Sequence, residues 1–98
     1  MKVDETTFKI RKTCDSIKEF LVAKNKSYGD SATKPLNIFS KGNAVQSLCA
    51  RIDDKLARIK NRGIDKNTLD TVDDLIGYFV LLKIAIKDSK SVDEEKNK

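Results

Sequence analysis

Arg51-Ile-Asp-Asp-Lys-Leu-Ala-Arg58 and Asp70-Thr-Val-Asp-Asp-Leu-Ile-Gly-Tyr78 are the two segments that decide the fold. Both fall in stretches of helical periodicity separated by a short turn, so we expect a helical hairpin with charged rows facing each other. Asp70 and Asp74 are four residues apart and share one helix face. Two like charges at this spacing destabilise a helix by roughly 0.2 to 0.5 kcal/mol, so we expect a cation beside them.

A basic row on the preceding helix can supply that cation. Its members follow a spacing of four, three and four residues, with Asp54 at the edge: Arg51, Lys55, Arg58 and Arg62. The alternative is an ordinary solvated surface with ion pairs inside the helix, such as Asp54 with Arg58.

The pattern predicts an all-α protein with three main helices at about 6–24, 43–62 and 67–87. Asn43 is the expected N-cap of the second helix and Gly63 its stop. Asn67 with Asp70 resembles a capping box for the third. We expect a single domain over 1–88, followed by a flexible charged tail over 89–98.

Apolar spacing predicts which helix faces are buried. In helix one a stripe recurs at intervals of three and four residues (Ile10, Cys14, Ile17 and Leu21), which indicates a core face. Cys14 in helix one and Cys49 in helix two both lie at interior-looking positions of their helices. We expect both to be buried free thiols. Helix three is apolar around almost its whole circumference after Leu75. Two partner helices can scarcely cover it, so we predict a helical bundle that forms a homodimer or larger oligomer through 67–87.

The loop at 25–42 breaks the helical pattern with Gly29, Pro35 and Gly42. Loops of this length in compact domains are usually functional or disordered. Its apolar residues argue against disorder: Tyr28, Leu36, Ile38 and Phe39. We expect a lid, either over one end of the bundle or over a ligand, where Tyr28 could stack on a base.

Composition narrows the function. The chain has 20 basic and 15 acidic residues and lacks His, which excludes His-based triads and most zinc sites. The +5 charge lies in the body, mainly between 41 and 62, and suits a phosphate-bearing ligand. No motif for sequence-specific nucleic-acid binding accompanies it. The chain shows neither an export signal nor a 20-residue apolar span, so we expect a cytoplasmic protein without a membrane segment.

Three separated blocks carry a resemblance to a known family. They are Lys24-Asn-Lys-Ser-Tyr-Gly-Asp-Ser31, Ala50-Arg-Ile-Asp-Asp-Lys-Leu-Ala-Arg-Ile59 and the segment 70–78. In order and spacing they resemble the phage-associated nucleotide modification associated domain 1 family, which is similar to the MazG-like all-α nucleotide pyrophosphatases. The likeness covers roughly residues 14–86.

The resemblance implies an oligomeric helical bundle that handles a nucleotide, with Mg²⁺ as cofactor, in the cytoplasm of a phage-infected cell. It assigns Asp54, Asp70 and Asp74 as metal ligands. The implied nucleotide-binding residues are Tyr28, Gly29 and Asp30 near the base or ribose, and Arg51, Lys55 and Arg58 near phosphate. The Glu-x-x-Glu and Glu-x-x-Asp motifs of the better-known pyrophosphatases are absent here. No residue is assigned as catalytic.

Three functions therefore stand as hypotheses. The first is a Mg²⁺-dependent nucleoside triphosphate pyrophosphohydrolase. The second is a non-catalytic nucleotide binder, such as a phage protein that sequesters a nucleotide signal in anti-defence. The third is a helical module that binds a host protein through its charged rows.

Overall fold

Over the residues that it describes, a computed structural model of the chain shows three α-helices. The backbone is described for residues 2–35 and 42–96, and side-chain surroundings for 4–35 and 42–89. The helices are α1 (Lys2–Tyr28), α2 (Ala44–Arg62) and α3 (Leu69–Lys96), with a 3₁₀ turn at Lys66–Thr68 before α3. No strand occurs within these ranges, which confirms the all-α prediction.

Helix α2 has the two ends that the sequence predicted. The Asn43 side chain accepts a hydrogen bond from the Gln46 N–H at 2.8 Å, and the Gln46 side chain accepts one from the Asn43 N–H at 3.2 Å. Gly63 ends the helix with φ of 83°, and its N–H donates to the Ile59 carbonyl at 2.8 Å. A left-handed residue at this position is typical of glycine stops.

The start of α3 differs from the prediction. Asp65, not Asn67, is the capping residue, because its carboxylate accepts from the Asn67 N–H at 2.8 Å. The hydroxyl of buried Thr68 accepts from the Asp65 N–H at 3.0 Å and completes a capping box two residues earlier than expected. The 3₁₀ turn uses the same capping chemistry as an α-helix, so the short polar residues around it gave an ambiguous start.

Helices α2 and α3 form the hairpin that holds the core. The buried apolar residues come from these two helices alone among the described side chains: Leu48, Ile52, Leu75 and Ala85. Helix α1 packs against α3 near its own C-terminal end. There Leu21 lies so close to Gly77 that a Cβ on the glycine would come within 3.3 Å of the Leu21 Cδ1 atom.

The remainder of α1 extends away from the hairpin. All side chains at 4–16, which we call the α1 arm, are exposed, and Ile10 is 59% accessible. The predicted core stripe is therefore wrong for Ile10 and Cys14, which are exposed, whereas Ile17 is half-buried. Cys14 and Cys49 are free but exposed, so the prediction that they are buried is also wrong for the single chain.

One side of α3 carries a series of accessible apolar side chains, with exposed Lys83 among them. We call it the outer face; its residues are Ile76, Phe79, Val80, Ile84 and Ile86. The sequence predicted that helix three is buried around almost its whole circumference. In the single chain this face of the helix remains uncovered. Oligomerisation through 67–87 stays a prediction.

Two further predictions concern the ends of elements. The backbone of α3 stays helical to Lys96, beyond the expected end at 87, and α1 is longer than 6–24 at both ends.

The proposed lid residues Leu36, Ile38 and Phe39 lie outside the described residues. No helix in the described part of the chain has the length and hydropathy needed to cross a membrane.

Candidate functional site

A cleft of about 200 Å³ lies where the C-terminal end of α1 meets the α2–α3 hairpin. Helix α1 and the turn after it contribute one wall, Arg51 of α2 a second and α3 a third. The lining residues are Phe20, Leu21, Lys24, Asn25, Tyr28, Ser31, Ala32, Arg51, Asp73, Asp74, Gly77, Tyr78 and Leu81. All three sequence blocks that carry the family resemblance thus contribute to one cavity.

The turn after α1 explains why Gly follows Tyr in the first block. Gly29 and Asp30 both have left-handed backbone angles, with φ of 59° and 64°. The Asp30 N–H donates to the Asn25 carbonyl at 3.3 Å, and the Gly29 N–H donates to the Lys26 carbonyl at 3.4 Å. These are the two hydrogen bonds of a Schellman motif. The turn ends the helix at Tyr28, so this aromatic side chain is the last on α1.

The first block also holds its own turn together through side chains. The Asn25 amide donates to the Asp30 carboxylate, and the Asp30 carbonyl accepts from the Lys34 N–H at 2.8 Å. Asp30 thereby joins the end of α1 to the next turn of the chain. That turn places Ser31 and Ala32 in the cleft wall.

Asp74 is the polar centre of the cleft floor. Its Oδ2 atom lies 2.9 Å from the Lys55 Nζ of α2, and its Oδ1 atom lies 3.4 Å from the Lys24 Nζ of α1. One carboxylate therefore ties all three helices together. The spacing of Asp70 and Asp74 predicted a cation beside them: Lys55 is paired with Asp74, whereas no ion pair among the described residues involves Asp70, and the second cation, Lys24 of α1, was not predicted.

Both lysines keep Asp74 ionised. Burial raises the pKa of this carboxyl, but the hydrogen bond from Lys55 and the charges of Lys24 and Lys55 outweigh it and leave the pKa below its ordinary value. Only 20% of the Asp74 side chain is accessible, and 17% of Lys55. Water therefore screens their interaction less than it screens a surface pair.

Lys24 has a second contact inside the cleft. Its Nζ atom lies 4.8 Å from the centroid of the Phe20 ring, within the range of a cation–π interaction. Phe20, Tyr28 and Tyr78 give the cleft three aromatic side chains beside two cations.

The structure separates the predicted nucleotide-binding residues into three groups. Tyr28 and Arg51 line the cleft, and Lys55 holds its floor through Asp74. Gly29 and Asp30 build the turn and do not line the cavity. Arg58, although it belongs to the same basic row, is exposed and does not line it either.

The predicted metal ligands do not form a cluster. Asp54 and Asp70 are exposed and lie outside the cleft lining, whereas Asp74 is engaged by two lysines. Among the described residues, no three acidic or Cys side chains lie together in a group that could hold a metal ion. The three carboxylates therefore do not fit a shared Mg²⁺ site in this arrangement, and Mg²⁺ as a cofactor stays a prediction.

Sequence reasoning assigned no role to several cleft residues. Lys24, Asn25, Gly77 and Tyr78 all belong to the resembling blocks, and that membership was the available signal. Asp73 also belongs to a resembling block, the segment 70–78, but its neighbour Asp74 was the one assigned because it lies four residues from Asp70. Phe20 resembled an ordinary core residue.

Comparison with known proteins gives no assignment. The chain matches no protein-family model, no curated protein and no solved structure.

Proposed function

We propose that this protein binds a nucleotide in the cleft between α1 and the hairpin, and that it does so without turnover. The observation that carries the proposal is the meeting of three distant sequence blocks at one cavity that holds both cations and aromatic rings. Cavities of this kind, with apolar walls and a few convergent polar groups, are typical of small-molecule sites.

Arg51 is the best candidate to bind phosphate. None of the ion pairs among the described residues involves it, and it lines the cleft. Arginine can donate two parallel hydrogen bonds to a phosphate and keeps its charge at any physiological pH. Lys24 would provide a second positive group, although its charge is partly neutralised by the ion pair with Asp74.

The aromatic residues supply a place for the base. Tyr28 ends α1 with 64% of its surface exposed, so a planar ligand can reach the ring without any rearrangement of the core. Stacking of a base on an aromatic side chain is worth about 1 to 3 kcal/mol. Asp73, half-buried in the cleft wall, offers a carboxylate that can accept hydrogen bonds from ribose hydroxyls.

Binding without turnover is favoured by the state of the acids. Both oxygens of Asp74 already pair with lysine ammonium groups, so a metal ion would have to compete with them. Mg²⁺ binds through carboxylates that keep free oxygen atoms, together with substrate phosphates and water. Asp74 therefore acts best as an anchor that positions α1 on the hairpin.

The decisive experiment measures both binding and product. The purified chain is titrated with a panel of ribo- and deoxyribonucleoside mono-, di- and triphosphates, with Mg²⁺ or with EDTA, and the ligand is then recovered and separated. We expect binding in either condition and chemically unchanged ligand. Arg51→Ala should weaken the affinity at least about tenfold, which corresponds to about 1.4 kcal/mol.

Arg58→Ala provides a matched control. It removes the same side chain from the same basic row but outside the cleft, so we expect its affinity to stay within about twofold of the unchanged chain. Equal losses for both variants would mean that binding is a general effect of charge. No binding by any nucleotide would contradict the proposal.

A Mg²⁺-dependent pyrophosphohydrolase is the second candidate. The observation in its favour is that two adjacent carboxylates, Asp73 and Asp74, line the same cleft as Arg51. Release of monophosphate and pyrophosphate only in the presence of metal would select this candidate. Asp73→Asn should then abolish product formation.

The outer face of α3 supports a further part of the proposal, that the chain forms a homo-oligomer through this helix. Phe79, Val80 and Ile84 are accessible apolar side chains on consecutive turns. Contiguous apolar surface of this kind marks interaction sites. A host protein is the alternative occupant, since Arg58 and Arg62 also remain exposed outside the cleft.

A further inference from the structure

The surface of the single chain is much larger than its mass requires. It exposes 8281 Å², whereas folded monomers of 11.0 kDa expose on average about 5,600 Å². Its radius of gyration is 16.3 Å, compared with about 13 Å for a compact domain of this length. The surplus of about 2,700 Å² exceeds the roughly 800 Å² that each partner buries in a standard interface.

The α1 arm is one of the uncovered parts of the chain. Between 4 and 16 no described side chain is even half-buried, so the arm extends as a helix without tertiary support. An isolated helix of about 12 to 15 residues is marginal in water. The two intrahelical ion pairs Lys9–Glu5 and Lys18–Asp15 are exposed and add little to its stability.

The arm carries the spacing of a helix-packing seam. Ile10, Cys14, Ile17 and Leu21 follow intervals of four, three and four residues. A stripe with this repeat packs best against another helix. Among the described residues, the stripe is partly covered at Ile17 and at Leu21, where Leu21 meets α3. From Ile17 toward the start of the helix the stripe continues through Cys14 and Ile10, which are both exposed.

The chain itself presents a surface that can cover this stripe. The outer face of α3 runs from Ile76 to Ile86, which is about 15 Å along a helix. The exposed part of the stripe, from Ile10 to Ile17, is about 10 Å long. Both surfaces are helical and largely apolar, and among the described side chains neither is covered by another part of the chain.

From these observations, and resting on the proposed oligomerisation through α3, we infer that a second copy of this chain covers the α1 arm, with the arm of each protomer packed on the outer face of α3 in the other. In a two-fold dimer the contact occurs twice, because each copy donates one arm and one outer face. This arrangement buries both uncovered surfaces at once.

The test is the molar mass of the full chain by light scattering after size-exclusion chromatography, under reducing conditions that prevent disulfides through Cys14 and Cys49. The measured molar mass of the unchanged protein should be at least twice the 11.0 kDa of one chain. Ile10→Glu on the arm and Val80→Glu on the outer face should each reduce the mass toward that of a single chain. Ser16→Glu, an equal change at an exposed position on the opposite side of the arm, should leave the mass unchanged.

A milder variant guards against loss of folding. Ile10→Ala keeps the helix, because Ala is the best helix former, yet it removes the interface contact. We expect its dissociation constant to rise at least about tenfold, with an unchanged helical circular dichroism signal at a concentration where it still associates. A monomeric unchanged chain would overturn the inference. So would an oligomer that Val80→Glu dissociates but Ile10→Glu does not, because association would then use α3 without the arm.

Discussion

Asp74 of α3 and Lys55 of α2 form an ion pair of 2.9 Å in the floor of the cleft, and both side chains are at least four-fifths buried. The pair joins the two helices of the hairpin, and Lys24 of α1 contacts the same carboxylate. Its position makes Asp74 a structural anchor and a wall of the candidate site at once.

Asp74→Ala is expected to destabilise the protein by about 1.5 to 3 kcal/mol. The reason is that it leaves the Lys55 ammonium without a partner in a largely buried place. Urea unfolding followed by circular dichroism measures this change. Asp70→Ala, which removes an exposed acid one turn earlier, should stay within about 0.5 kcal/mol of the unchanged chain. Similar losses for the two variants would show that the ion pair contributes nothing specific.

The contribution of Asp74 should depend on pH in one direction. Its pKa is lowered in the folded protein, so the folded state favours the ionised form relative to the unfolded chain. The stabilisation is therefore present above the unfolded pKa of about 3.9 and is lost as the pH falls through the lower folded value. The difference in unfolding free energy between the unchanged chain and Asp74→Asn should shrink below about pH 4. A difference that stays constant from pH 7 to pH 3 would contradict this.

Gly29→Ala is expected to cost about 1 kcal/mol or somewhat more, because residue 29 has φ of 59° and an L side chain is strained there. No neighbouring atom lies within 4 Å of the added Cβ, so the cost is one of backbone conformation and not of a clash. Thermal unfolding measures it. D-alanine at the same position, introduced by chemical synthesis, adopts positive φ readily and should recover the stability. Failure to recover would show that the strain lies elsewhere.

Substitutions at Gly77 should act through the contact between α1 and α3. An alanine Cβ would meet the Leu21 Cδ1 atom at 3.3 Å, a distance that a small shift of one flexible side chain relieves. We expect Gly77→Ala to be nearly neutral because its better helix propensity of about 1 kcal/mol offsets the crowding. Gly77→Val adds bulk that the shift cannot accommodate, and should cost about 1 to 3 kcal/mol.

Hydrogen exchange locates the Gly77→Val effect. Amides at 21–28 should exchange faster, while those around Leu48 and Ile52 in the hairpin core should keep their protection. Uniformly faster exchange would mean that α1 and the hairpin unfold as one unit.

The sequence predicted the elements better than their contacts. The amphipathic pattern of α2, with Asn43 and Gly63 at its ends, was sufficient because capping is a local property. The start of α3 was misplaced because Asp65 and Asn67 both suit a cap, and only the 3₁₀ turn decides between them. The stripe through Ile10 and Cys14 indicated an apolar face but not what covers it, since periodicity is the same for a core and for an interface.

The candidate site shows the same division. The spacing of Asp70 and Asp74 predicted a cation, and Lys55 is there. The part played by Lys24 could not be predicted, because it depends on where α1 crosses α3 and no local pattern determines that crossing. The block that contains Asn25, Tyr28 and Gly29 was assigned to ligand contact, whereas two of its residues mainly end the helix.

The crossing of α1 over Gly77 has a thermodynamic consequence. The cleft lies in the joint between α1 and the hairpin, so a molecule bound there would contact both sides of that joint and hold it closed. Attachment of α1 and occupancy of the cleft are then linked equilibria, and each must strengthen the other by the same factor. A ligand bound in the cleft would thus also stabilise the attachment of the first helix to the hairpin. The rigidity of that helix would in turn depend on whether the cleft is occupied.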